Sequence, residues 1–238
     1  MIGIHLSFSL NNEAFCCKTS TSTEFIYQVK YVCLKIQKIK CIESWQLSFE
    51  ARLLKEPENY YITNLTTKSW IIPQNQRLFE INDAYSTTFA PEFSMIALIL
   101  QNKSQGQKNN SVYGFGLYGL KECYAVLNSY RVPNIDFKLD LTTGEENILR
   151  PWLSLFGNDS NFEDNSLIID KKKYLANYPF IPLDMLNLQS HCNEALRPKS
   201  MANVKIRLEF GQDNEVLRLL LFSKSVENIQ VDNQRAVY

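Results

Sequence analysis

The chain has 238 residues, 45% of them hydrophobic and 21% charged, with 25 basic residues balancing 25 acidic ones. That length holds one large β domain, or a smaller domain plus a fragment, with a sizeable core in either case. Zero net charge excludes the broad basic field with which a whole domain grips nucleic acid, so no specific nucleic-acid binding is expected.

The opening run Met1 to Leu10 lacks a cationic flank and is too short to span a bilayer. It therefore reads as neither a signal peptide nor an anchor, and the protein is expected to be intracellular, with no membrane partner. The sequons at Asn64, Asn102, Asn109 and Asn158 then have no glycosylation to receive. Residues 11 to 24 are polar and rich in Ser and Thr, the composition of a loop. From Tyr27 to Ile42 two periods compete. Tyr27, Val29 and Tyr31 alternate like a strand, whereas Val32, Ile36 and Ile39 recur near helical spacing, and the type stays open. Lys30, Lys35, Lys38 and Lys40 are separated by apolar residues, which makes them a solvated face rather than a phosphate site.

Short strands are predicted at Trp45 to Phe49 and at Trp70 to Ile72, joined by a polar stretch that contains Pro57 and two tyrosines. Phe93 to Gln101 is almost wholly apolar at its centre and reads as a buried strand; Asn102 to Ser111 follows as a polar loop. Tyr113 to Leu127 holds one or two further strands ending at Asn128 and Ser129. Leu149, Trp152, Leu153 and Phe156 give a short helix over Ile148 to Phe156, and Gly157 to Ser166 is an acidic, Asn-rich loop. Tyr178 to Asp184 carries two prolines and suits an edge strand. At the end, Val204, Ile206, Leu208 and Phe210 alternate with Lys205, Arg207 and Glu209. Gly211 to Glu215 then leads into the apolar run Val216 to Phe222. The pair reads as a hairpin whose second strand is central and covered on both faces, with a second sheet packed over it.

Six cysteines at 16, 17, 33, 41, 123 and 192 form no CxxC pair, and His5 and His191 are the only imidazoles. Structural zinc takes closely spaced ligand pairs, so no metal site is expected and the cysteines read as buried free thiols. Gly114-Phe115-Gly116-Leu117-Tyr118-Gly119 fits GxGxxG, with Asp136 near the distance of a ribose-binding acid. Yet Phe115 and Tyr118 are bulky where a pyrophosphate must approach, and no amphipathic helix follows. A glycine-punctuated strand or bulge is the better reading, and no cofactor is expected.

His191 and Cys192 are adjacent, so in an extended segment their side chains face opposite ways and cannot share a proton. Glu145, Glu146, Asp159, Glu163 and Asp164 lie in polar loops as solvated carboxylates, and Lys171 to Lys173 is a hydrated turn. Tyr60, Tyr61, Tyr113, Phe115 and Tyr118 suit cross-strand packing. No catalytic residue is expected, and the chain does not read as an enzyme. Strands without regular βαβ alternation favour an antiparallel sandwich.

The order of these segments resembles the double jelly-roll major capsid proteins of adintovirus and Polinton-type elements. The resemblance rests on Trp70 before an extended stretch, Pro91-Glu92-Phe93 leading into the apolar strand, and Leu127-Asn128-Ser129 with Pro133 behind. It continues with Tyr178 to Asp184 and the closing pair Val204 to Phe210 and Leu217 to Phe222. Arg131-Val132-Pro133 departs from the family's aromatic before proline, and Met185 to His191 departs from its polar residues after the Asp. The resemblance implies a mainly β fold, an antiparallel jelly-roll sandwich with one or two short helices in loops. Residues 1–70 are then a partly irregular remnant of a first jelly roll, and residues 71–238 a C-terminal jelly-roll domain. It also implies a structural capsid-type protein, a subunit or fragment of an icosahedral shell, with self-association as a trimer and other capsid proteins as partners. Its place would be the virion or, for an endogenous or domesticated copy, the cell interior. The rival reading is a β-sandwich module that binds carbohydrate through loop tyrosines such as Tyr113 and Tyr118.

Overall fold

The computed structural model describes residues 28–35, 39–85, 91–104, 114–139, 145–156, 169–185 and 203–232. Residues 28–35 and 39–42 carry no regular element, and the rest of the segment with two competing periods, Tyr27 and residues 36–38, lies outside the described residues. Helix α1 follows at Glu43–Leu53, where a strand was expected at Trp45 to Phe49. The alternation of Trp45, Leu47 and Phe49 imitates a strand, but Trp45 and Phe49 also stand four apart. Their rings stack at 5.2 Å along one helix face. Glu43 in the first turn and Arg52 in the last complement the helix dipole. No residue of α1 is buried, so the helix stands on local interactions.

The strands that follow are β1 (Glu58–Ile72), β2 (Leu78–Ile81), β3 (Phe93–Leu100), β4 (Leu120–Leu127), β5 (Tyr130–Lys138), β6 (Ile181–Asp184), β7 (Val204–Phe210) and β8 (Leu217–Val231). Short helices α2 (Gln101–Ser104), α3 (Leu149–Ser154) and α4 (Lys171–Asn177) lie in the connections. The strands form two four-stranded sheets in the orders β1-β8-β3-β6 and β2-β7-β4-β5. Every pairing is antiparallel. Numbered along the chain, this is the eight-strand arrangement of two Greek keys, a jelly roll. The expected fold class therefore stands on the strand order itself.

Two sequence expectations need correction. The closing pair is no hairpin, because β7 belongs to one sheet and β8 to the other. The turn residues between them cross the sandwich, and Asn214 anchors the crossing: its amide donates to Pro73 O at 3.1 Å and to Glu215 O at 2.9 Å while buried. The second sheet expected over the pair is thus built by the pair, one strand to each layer. Second, β1 and β8 are each 15 residues long, well beyond the short runs Trp70 to Ile72 and Val216 to Phe222. The division expected at residue 70 accordingly falls inside β1.

The remaining elements follow local chemistry. Asn128 and Ser129 both have positive φ, 45° and 78°, and close a two-residue turn between β4 and β5. Lys171 to Lys173, expected as a hydrated turn, instead open helix α4, because the Asp170 carboxylate accepts from Lys173 N at 2.7 Å and caps it. The short helix expected near Trp152 is α3, preceded by a 3-10 turn at Glu145–Ile148. Between the sheets Ile72, Ile96, Leu98, Cys123, Ala125, Leu183, Ile206, Leu208, Leu219 and Leu221 form one core cluster. β7 alternates as read, with Val204, Ile206, Leu208 and Phe210 buried.

Candidate functional site: the exposed sheet surfaces

The core fixes which residues face outward, and the two outward faces differ in chemistry. On the β2-β7-β4-β5 sheet the outer row is charged. Arg207 lies across from Glu80 on one side and Tyr124 on the other. It pairs with Glu80 at 3.4 Å, while the Arg131 guanidinium lies 3.6 Å from the centre of the Tyr124 ring and 3.3 Å from Glu122. The ladder is charged and suits water, although Nε of both Arg131 and Arg207 is buried and makes no hydrogen bond among the described residues. A shallow cleft of about 360 Å³ at one end, lined by Arg77, Lys121, Arg207 and Glu209, mixes both signs of charge.

The β1-β8-β3-β6 sheet is different. Registers place Ile71, Leu220, Phe222, Met95, Ala97 and Ile99 on its outer face together with Ser69, Arg218 and Lys224, and of these Ala97 and Ile99 are buried. Toward β6 that face is closed by an aromatic cluster, in which Phe180 contacts Phe115 at 5.1 Å, Tyr178 at 6.3 Å and Phe222 at 6.5 Å. Toward β1 it is open: Tyr61, Leu65 and Ile71 are 57%, 76% and 53% exposed. The exposed apolar residues of β1, set against a charged ladder on the other sheet, mark this side of the face as a candidate contact surface.

Beyond the sandwich β1 and β8 continue with no third strand among the described residues. β3 pairs with β8 only as far as Lys224, so Ser225 to Val231 pair with β1 alone. This ribbon exposes Tyr60 and Ile62 on one face and Tyr61 and Leu65 on the other. Side-chain amides hold it: Asn64 donates to Glu227 at 2.7 Å, and Asn228 and Gln230 both donate to Asn59, at 2.9 and 3.0 Å. A two-stranded ribbon is marginal in water without a third layer or strand. Trp45, Leu47, Leu54, Ile39 and Ile42, in and around α1, add further exposed apolar surface.

Inside the sandwich one polar cluster breaks the apolar pattern. The Tyr85 hydroxyl lies 2.6 Å from Ser94 Oγ, which donates to Ser223 Oγ at 3.2 Å. Burial pushes the Tyr85 hydroxyl up to about 12, against the pull of its serine hydrogen bonds. Burial likewise pushes the Cys123 thiol up to about 12. Neither group has the depressed pKa of an activated nucleophile. Serine hydroxyls that satisfy one another across two strands tie β3 to β8.

The structure redistributes the residues singled out by sequence. Gly114 to Gly119 form no phosphate loop: Phe115 bridges to Ile99, Gly119 turns with φ of 75°, and the chain enters strand β4 rather than a helix. Asp136 belongs to β5. The Tyr118 hydroxyl donates to Gly114 O at 2.8 Å, and its ring lies so close to Gly116 that a Cβ there would sit 3.0 Å from it. Gly116 thus packs closely against the ring. Cys123 is the buried free thiol expected, but Cys33 and Cys41 are exposed, since no core forms around their segment. His5, Cys16, Cys17, Tyr113, Asp159, Glu163, Asp164, His191 and Cys192 lie outside the described residues. Among the described residues no group of three His, Cys, Asp or Glu side chains gathers for a metal, and no helix is long and apolar enough to cross a membrane. Sequence reasoning missed the ribbon, whose signal was the β-prone run Tyr60-Tyr61-Ile62-Thr63.

No family model matches the chain, and no curated protein matches it. Among solved structures it is similar to the mavirus major capsid protein, with 10% sequence identity and a TM-score of 0.39 over 77% of this chain and 41% of that one. The chain thus spans about two fifths of the length of the solved capsid protein it matches.

Proposed function

We propose that the chain is a structural protein of the capsid type, a subunit or part of one in an icosahedral double jelly-roll shell, which works through protein contacts and carries out no catalysis. The observation that carries this reading is the jelly-roll strand order combined with the exposed apolar residues Tyr61, Leu65 and Ile71 on the outer face of β1. Jelly rolls also serve lectins and cupins, so the fold alone is an analogy. The exposed apolar residues of β1 are the feature that favours a neighbouring protein. The resemblance of the segment order to adintovirus and Polinton-type capsid proteins supports the same reading. In it, the residues before β1 are what remains of a first jelly roll, the assembled form is a trimer with other capsid proteins around it, and the protein resides in the virion or, as a retained copy, inside the cell.

The test is sedimentation velocity and negative-stain imaging of the purified full chain. Trimers or larger particles are the expected result. A stable monomer that binds a glycan saturably would overturn the reading in favour of the carbohydrate module.

A further inference from the structure

The two sheets have four edges, and three of them are blunted. β6 is four residues long and contains Pro182, and β2 is four residues long and contains Glu80. β5 carries Pro133 with Arg131, Asp136 and Lys138. Short length, proline and charge are the devices by which proteins stop an edge from recruiting another strand. β1 has none of them: it runs for 15 residues without Pro or Gly, and its only charges are Glu58 and Lys68. Among the described residues no strand pairs with this edge; helix α1, just before it, meets the first residue of β1 through the Arg52–Glu58 ion pair at 2.6 Å and buries none of its own residues.

We propose that the free edge of β1 is a strand-addition surface for a second copy of this chain, paired antiparallel about a two-fold axis through Thr63. The register follows from the charges. Two copies of one strand related by a two-fold pair residues of the same face, and only the axis at Thr63 sets Glu58 opposite Lys68 of the second copy, and Lys68 opposite its Glu58. The same axis pairs Tyr61 with Leu65 and Tyr60 with Thr66 across the junction, and Thr63 with itself. Aromatic–aliphatic and Thr–Thr pairs are favourable cross-strand neighbours. The pairing also gives the β1–β8 ribbon two further strands, the addition that a lone two-stranded ribbon lacks. Glu58 already holds Arg52, and a carboxylate has acceptor sites for a second cation. The Lys68 ammonium donates to Ala84 O at 3.1 Å and keeps two further donors. This contact stands on the β1 edge alone and is separate from the capsid reading.

The experiment is sedimentation equilibrium of the full chain and three sets of variants, with circular dichroism to verify folding. Thr63→Lys sets two like charges directly opposite on the axis, at an exposed position outside the core. It is expected to weaken the dimer roughly tenfold. Glu58→Lys and Lys68→Glu are each expected to weaken it by a similar factor, and the double change, which restores opposite charges in every pair, to recover most of the loss. Hydrogen exchange on β1 is expected to slow with rising protein concentration in the native chain and not in Thr63→Lys. A chain that is monomeric at all concentrations overturns the proposal, as does a dimer indifferent to Thr63→Lys. Trimers that form regardless of these changes overturn it and leave the capsid reading standing, whereas a Thr63-sensitive dimer with nothing larger upholds it and removes the shell.

Discussion

The two halves of β8 are one continuous strand in two physical situations. From Leu217 to Ser223 it lies between β1 and β3, and Leu217, Leu219, Leu221 and Ser223 are buried against the opposite sheet. From Ser225 onward it has β1 alone, and no residue is buried. Propensity is similar along the strand, so the difference comes from what packs over it. Burial along this strand is supplied by the second layer and not by the strand itself.

The sharpest way to break that contrast is to truncate a core residue of the first half. Leu219 is fully buried and pairs with Leu98 and Trp70. Leu219→Ala is expected to cost about 2–5 kcal/mol, the range for a buried leucine whose cavity cannot collapse. Urea denaturation followed by tryptophan fluorescence measures it; a loss below about 1 kcal/mol would mean that the layers are loosely packed.

The same contrast explains how much the sequence disclosed. β3, β6 and β7 were legible because burial writes itself into composition: β3 is apolar on both faces, β7 alternates, and β6 carries the proline of an edge. The ribbon was not legible, because Asn59, Asn64, Thr66 and Thr67 make its strands read as a polar linker. Pairing between strands far apart in sequence, Glu58 with Val231 at the extreme, decides that segment. Trp45 to Phe49 failed for the opposite reason, since exposed aromatics carry no information about which face is buried. The candidate surface was not legible, because its location required the registers.

A second effect separates core from ribbon by pH. Tyr85 titrates near 10 when unfolded and at about 12 in the fold, and Cys123 moves from about 9 to about 12, both through burial. Burial raises Tyr174 in the same direction. Each neutral form is favoured by the fold, so its contribution is complete below the unfolded value and is lost as pH rises through the folded one. Stability is therefore expected to hold to about pH 8 and to fall between about pH 9 and 12, with Tyr85 accounting for about 2–3 kcal/mol of the fall. Tyr85→Phe should flatten that part of the curve. A curve unchanged by the substitution would contradict the buried hydroxyl cluster.

At the turn into β4, Gly119 tests the crossing that joins the layers. Its φ is 75°, its carbonyl accepts from Gly211 N at 2.9 Å, and an added Cβ would sit 2.5 Å from the Gln212 side chain. Gln212 is long enough to move, so the backbone conformation sets the penalty. Gly119→Ala is expected to destabilise by about 1–2 kcal/mol. Thermal unfolding measures this, and a neutral result would show that the turn relaxes to negative φ.

The smallest effect belongs to the ribbon itself. Ile62 is 47% exposed and its partner across the strand is Glu227, so Ile62→Ala removes little contact within one molecule. The expected change in global stability is within about 0.5 kcal/mol, a tenth of the upper value for the core leucine. Hydrogen exchange carries the finer expectation: amides of Ser225 to Val231 should open locally at a free energy well below that of Leu217 to Ser223, because one neighbouring strand protects them instead of two. Equal protection along all of β8 in dilute monomer would mean that the ribbon belongs to the cooperative core. The absence of a third strand would then cost it nothing.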